Sequence, residues 1–443
     1  MVLDHLEEFA MRLAWPQDCK PRPNPAIIER FRKYIECGLS RFGVVRYRCP
    51  KCGQDMFVAF SCKIRGLCPS CDAKRAAVTM ANAVDRLLPE VGYRQWVLVV
   101  PKRLRFIMNL HGELAGEVAA ILARCVELRL RHTAGEGSPA HIAFVQRFGG
   151  ELNLHQHVHS VISEGVFFKE PGLFGPVLGF RPASPPMEEE IKALTEEIRR
   201  KVLHRFKKLG YLLPLDMDNM LAWPHSGFSL HAQVYVPPGD LEGLQRVLYY
   251  CGRPALSMQR VSYYANKNLV VYRTEPRGGE SWSLSMEPLE FLRKWALLVP
   301  PPRKNLVRYY GALGPNSPLR ELVVEEASKG TSRARLREKR EAVCAKLRSW
   351  AACLARVFEV YPLVCPRCST TMLPVALIMN DRELVRLLEH LNLPTEFPRT
   401  KPARSKPPEI SDCGPPEDDG CQIDPKVDLY EGINPPGDDD LPA

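Results

Sequence analysis

The sequence predicts an α+β fold with a mainly antiparallel sheet and helices, preceded by a small zinc-binding module and followed by a helical region and a disordered tail. Three observations predict it: strand-like and helical runs interleave irregularly, Cys-x-x-Cys pairs crowd near the start, and the end is polar and Pro-rich. A doubly wound parallel sheet would need regular alternation, and the Gly-rich phosphate-loop fingerprints are absent. With 443 residues, 45% of them hydrophobic, the chain can form two or three domains and at least one full core.

Along the chain, Ile27, Ile28, Phe31, Tyr34 and Ile35 recur at helical spacing over 26–37. A cysteine-rich block spans 49–71, and 76–88 reads as helix. Residues 95–100 form an apolar strand closed by Pro101. Further strands are expected at 142–146, 155–162, 228–236, 269–272 and 282–286, with helices at 188–209 and 241–251. An Arg- and Lys-rich helix over 332–357 reads first as a solvated face. These elements imply an N-terminal helical and zinc-binding domain (1–85), a main α+β domain (86–320), a C-terminal helical region with a lone Cys-x-x-Cys (321–395) and a disordered tail (396–443).

Fifteen cysteines in so long a chain, many of them paired, point to metal binding in a reducing compartment rather than to a disulfide framework. The start lacks a secretory pattern, and no run reaches the ~18 apolar residues of a membrane span, so a cytoplasmic protein without a membrane partner is expected. The formal net charge of +10 understates the basicity of the folded part, because the tail after Cys413 is acidic. Such a surplus suits a polyanion, most simply nucleic acid, although charge alone fits a merely soluble basic protein equally well.

Cys49-Pro50-Lys51-Cys52 and Cys68-Pro69-Ser70-Cys71 are two knuckles fifteen residues apart, the spacing of a tetrahedral zinc site. Four thiolates leave no open position, so this zinc would be structural. Cys62 is a fifth cysteine able to replace one of the four. Lys63, Arg65, Lys74 and Arg75 make the module a candidate for DNA contact. Cys365 and Cys368 form a lone knuckle with no well-spaced second pair, which weighs against a second zinc.

In Asn153-Leu154-His155-Gln156-His157-Val158-His159, alternate residues of a strand share a face, so His157 and His159 present adjacent imidazoles while Val158 and Ile162 face the other way. His155 is about 13 Å from His159 along the strand at about 3.3 Å per residue, too far for both to grip one ion. Tyr249 and Tyr250 lie on the helix that follows the Pro237-Pro238-Gly239-Asp240 turn, projecting away from its apolar stripe. Adjacent positions differ by about 100°, so one of them at most faces a given site, and helix geometry does not choose. A tyrosine hydroxyl can attack a phosphodiester once a metal polarises the phosphate; taken alone, either tyrosine reads equally as packing. His231, on a neighbouring strand, is the first choice for a third ligand, with Gln245 second.

Four segments together carry a resemblance: Val58-Ala59-Phe60-Ser61-Cys62-Lys63-x-Arg65-Gly66-x-Cys68-Pro69-Ser70-Cys71, Asn153-Leu154-x-x-His157-Val158-His159, Tyr250-x-x-Arg253-Pro254 and Leu306-Val307-Arg308-Tyr309-Tyr310-Gly311. Over roughly residues 20–390 the chain resembles the rolling-circle transposases of the insertion sequence 91 group, in the HUH single-strand endonuclease superfamily. The resemblance implies an HUH-type sheet, His157 and His159 as ligands of magnesium or manganese, and Tyr250 as nucleophile with Tyr249 as rival. Arg253 joins the DNA-contact candidates. Some members carry two tyrosines separated by three residues; Arg246 stands at the upstream position here, which favours a one-tyrosine reaction. The implied activity is metal-dependent cleavage and transfer of single-stranded DNA at transposon ends through a 5′-phosphotyrosyl intermediate, with no nucleotide cofactor. Two other readings remain at this stage: a zinc-ribbon DNA-binding protein without nuclease activity, and a zinc metallohydrolase using His157, His159 and His231.

Overall fold

One antiparallel sheet organises the middle of the chain, and its central strands Tyr93–Val99 and Ala140–Phe148 are buried on both faces. The computed structural model describes residues 1–14, 23–173, 175–274, 282–329, 364–397 and 399–402. Among these, the sheet runs in the order Val307–Gly311, Ala140–Phe148, Leu154–Ser163, Tyr93–Val99, Ser229–His231, with Tyr235–Val236 pairing the start of Tyr93–Val99. All of its pairings are antiparallel. The single strand expected over 228–236 is interrupted between Ser229–His231 and Tyr235–Val236, where the Ala232 carbonyl accepts from the Arg94 guanidinium at 2.8 Å.

Period-two alternation gives this sheet two unlike faces. Trp96, Leu98, Val158, Ile162 and Leu230 belong to the main core, which the helices Leu114–Ala134 and Glu188–Lys208 cover with Val118, Leu122, Val126, Ile198, Val202 and Phe206. Each such fully buried side chain stabilises the fold by about 1.5–3 kcal/mol relative to exposure. The other face carries His157 and His159. Against it lies helix Leu241–Gly252, whose Asp240 cap accepts from the Gly243 amide at 2.8 Å. Loss of that cap would cost ~1 kcal/mol. Gly252-Arg253-Pro254 ends this helix, since a proline at the next position cannot donate to the ladder.

By contact the chain divides into two compact units. Among the described residues, the sheet unit comprises 78–173, 175–253 and 300–329; the other gathers 1–14, 23–77, 254–274, 282–299, 364–397 and 399–402. Residues 254–274 and 282–299, which the linear partition assigned to the main α+β domain, group with the cysteines. In that unit Phe31 meets Phe9 and Trp295 edge to face, with centroids 6.1 and 5.3 Å apart. Its small sheet runs Leu373–Ile378, Val44–Arg48, Asp55–Ala59, and helix Asp381–His390 buries Leu384 and Leu388 beside Val44. A second three-stranded sheet, Val261–Tyr264, Leu269–Arg273 and Ser283–Met286, completes it.

The helix expected at 332–357 and the tail with Cys413 and Cys421 lie outside the described residues, apart from the first part of the tail. No described helix is long and apolar enough to cross a membrane.

Candidate active site

His157 and His159 stand side by side on Leu154–Ser163, their ring centroids 4.8 Å apart. Both are buried, at 3% and 1% exposure. Burial lowers His157 to about 3 and takes His159 well below the usual histidine range, with the neighbouring His157 and Arg253 adding to the effect on His159. At neutral pH both rings are therefore uncharged and each keeps a nitrogen lone pair, the state a metal requires.

Two glutamines hold these rings. The Nδ1–H of His157 donates to the His155 carbonyl at 2.9 Å, because a carbonyl can only accept. In the neutral ring this leaves the Nε2 lone pair facing Gln146 Oε1, 3.1 Å away. The Gln146 amide cannot turn over to cure this, since its nitrogen donates to the carbonyls of Tyr250 and Cys251 at 3.1 and 2.7 Å. Two acceptors facing each other in a buried site call for a cation between them, so this donor set fits a divalent ion. Gln95 Nε2 lies 3.1 Å from His159 Nδ1 and 3.4 Å from Cys251 Sγ, linking the strand to the helix that carries the tyrosines; turning this amide over would let its unpartnered Oε1 accept from Nδ1–H and free the Nε2 lone pair of His159 for an ion.

Tyr250 projects from that helix so that its ring meets His159 edge to face, at 5.5 Å and 87°. The Arg253 guanidinium sits 4.6 Å from the Tyr250 ring centre and 5.7 Å from that of Phe148. Tyr249, about 100° round the helix, is half-buried, and burial pushes its phenol up. Gln245 lies five residues before Tyr250, which turns it about 140° away.

His231 corrects an expectation. It shares the histidine face but sits across Val97 from His159, so a whole strand separates them, a gap of roughly 9–10 Å between backbones. Among the described residues, the groups of three or more His, Cys, Asp or Glu that converge as ligands are both made of cysteines. His231 thus does not complete a triad with His157 and His159, and the metallohydrolase reading lacks its third histidine.

The cysteines bring a second correction. The set expected as one site, Cys49, Cys52, Cys68 and Cys71, is divided between two clusters: Cys37, Cys62, Cys68 and Cys71 form one, and Cys49, Cys52, Cys365 and Cys368 the other. The reason is topological. Cys49 and Cys52 sit at the turn between Val44–Arg48 and Asp55–Ala59, whereas Cys68 and Cys71 flank the start of helix Pro69–Asn82, beside Cys37 at the end of helix Ile27–Ile35. Cys37 belongs to no Cys-x-x-Cys pair, so spacing gave no signal for it.

The basic residues of this unit are partly committed to the fold. Arg75 pairs with Asp72 at 2.7 Å and donates to the Lys63 carbonyl at 3.1 Å, while Asp72 accepts from the Gly66 amide at 2.7 Å. Burial raises Asp72 to about 6. This brace shapes the loop before Cys68. Lys63 is exposed; Arg65 and Lys74 are half-buried, and desolvation lowers both.

Two family models match the chain. One, described as "Transposase zinc-binding domain", covers residues 4–100, and one described as "Putative transposase" covers 141–319. No curated protein and no solved structure matches.

Proposed function

This chain belongs to the insertion sequence 91 family of transposases, and from that premise we propose that it cuts and rejoins single-stranded DNA at transposon ends through Tyr250 on an HUH-type sheet. The edge-to-face approach of the Tyr250 ring to His159, beside His157, carries this reading. His157, His159 and the Gln146 side-chain oxygen would hold magnesium or manganese, which when bound draws charge from the scissile phosphate. Gln146 replaces both His231 and Gln245 as the proposed third ligand.

Tyr250 Oη forms a bond to phosphorus as the P–O3′ bond breaks. The phenol proton passes to solvent, and the departing O3′ takes a proton to become a free hydroxyl. The 5′-phosphotyrosyl link conserves the phosphodiester, so a later hydroxyl attack at phosphorus rejoins strands and restores the tyrosine without ATP. Arg253, next to the Tyr250 ring, supplies positive charge where the phosphate would lie. With Arg246 at the upstream position, one tyrosine serves both steps. Lys63, Arg65, Lys74 and Arg75 remain proposed contacts to the DNA backbone, with Arg75 also bracing the cysteine loop; such binding weakens steeply with salt. Zinc in the cysteine module is structural, and the protein works in the cytoplasm on the nucleoid.

A labelled single-stranded oligonucleotide bearing a transposon end, incubated with manganese, tests this. The wild type forms a denaturant-resistant adduct that mass spectrometry places on a peptide from 241–260. Tyr250→Phe lowers adduct formation by about 10³-fold or more, and Tyr249→Phe leaves it within a few-fold. An undiminished adduct in Tyr250→Phe would sink the assignment.

A further inference from the structure

We propose that Cys49, Cys52, Cys365 and Cys368 bind a second zinc ion, separate from that of Cys37, Cys62, Cys68 and Cys71, and that it closes a ribbon whose halves come from opposite ends of the sequence. The sulfurs that meet across the two knuckles, Cys49 with Cys368 and Cys52 with Cys365, are each 3.4 Å apart and come from residues 319 and 313 positions distant. Cys52 and Cys368 are 3.6 Å apart. A regular tetrahedron with Zn–S of about 2.3 Å has edges of about 3.8 Å, so these spacings are close to those of a tetrathiolate. The other cluster shows the same scale, 3.6 to 3.8 Å.

The backbone repeats the same turn on both sides. The Cys49 amide donates to Gln54 O at 2.8 Å and the Gly53 amide to Cys49 O at 3.0 Å; the Cys365 amide donates to Thr370 O at 2.9 Å and the Ser369 amide to Cys365 O at 2.8 Å. The residue after the second cysteine is left-handed in each, Gly53 at φ 72° and Ser369 at φ 54°. Serine takes that conformation only where its surroundings outweigh the strain. Cys49 and Cys365 are each 1% exposed, packed with Met372, and none of the four is in a disulfide. Thiols are weak donors, so four of them turned together in a buried cluster have little to gain without a shared cation.

The strands continue the repeat. Val44–Arg48 leads into the first knuckle, Leu373–Ile378 follows the second, and the two pair from Val44 opposite Ile378 to Arg48 opposite Leu373. Cys365 and Cys368 lie beyond both segments matched by the family models, 4–100 and 141–319. The ion is held by thiolates alone, with no position left for chemistry, and the inference stands whether or not the chain cleaves DNA.

Elemental mass spectrometry of the full-length protein, purified with zinc, decides the matter. Two zinc ions per chain are expected, falling to one in Cys365→Ser/Cys368→Ser and to one in Cys62→Ser/Cys71→Ser. Cys368→His, which keeps a zinc-binding nitrogen, retains two. Amide hydrogen exchange in Leu373–Ile378 rises by about tenfold or more in Cys365→Ser/Cys368→Ser and stays slow in Cys368→His. A wild-type chain holding a single zinc, or a Cys365→Ser/Cys368→Ser chain that still holds two, overturns the proposal; if that double variant does not fold, the wild-type stoichiometry still decides.

Discussion

The cysteine clusters and the histidine centre both begin from short sequence spacings, yet they offer a metal opposite things. Each cysteine cluster surrounds one point with four sulfurs, the closed donor set of a structural ion. The proposed histidine centre would supply two rings and one amide oxygen, with a tyrosine ring alongside, so an ion held there would keep positions for phosphate oxygens. On this reading a knuckle holds the fold because it is saturated, and the strand pair would serve chemistry because it is not.

The widest separation between the two kinds of centre comes from removing one ligand of each. His157→Ala should lower adduct formation by about 10³-fold, with zinc content unchanged and the thermal midpoint little altered. Cys71→Ser should instead lose zinc and unfold part of its unit. If His157→Ala lost zinc, or Cys71→Ser kept all of it, the contrast would fail.

A smaller effect tests which side chain completes the open centre. Gln146→Leu should weaken manganese binding, followed by titration calorimetry, by roughly 10- to 100-fold. His231→Leu should leave it within a few-fold. The reverse order would restore the histidine and discard the amide.

The smallest effect concerns an imidazole on the core side of the same sheet. His141 is 1% exposed, and burial lowers it from 6.5 to about 3. The unfolded chain therefore binds more protons than the folded one between those values, and this contribution to stability is complete above about 6.5 and declines as pH falls toward 3. His141→Phe should flatten the fall in thermal midpoint between about pH 7 and pH 5, by on the order of 2–4 °C. Parallel slopes in the two proteins would refute a role for this ring.

Much of the sheet unit was legible because its signals are local. The period of two around Val158 and Ile162 separated core from site, and Asp240 with Gly252 and Pro254 marked both ends of the tyrosine helix. Helix Leu114–Ala134 was not delimited: besides the arc of Leu114, Val118, Leu122 and Val126, its Ala120, Ile121 and Leu128 carry apolar surface round much of its circumference, which blurs the stripe that marks a surface helix. The ligand sets were legible only in part. Cys-x-x-Cys spacing identifies a knuckle but not its partner, so Cys49 and Cys52 were joined to the nearest pair in sequence rather than to Cys365 and Cys368. Gln146 has no motif of its own; strand register brings it opposite His157, and its amide is oriented by carbonyls more than a hundred residues away.

The pairing of Val44–Arg48 with Leu373–Ile378 also sets a timetable. A ribosome adding about 5–20 residues per second reaches the later strand roughly 16–66 seconds after the earlier one. The histidine-bearing sheet, whose last strand ends at Gly311, is wholly synthesised within that interval. The nascent chain therefore carries an open ribbon edge through most of its synthesis, and the unit that starts first is finished last.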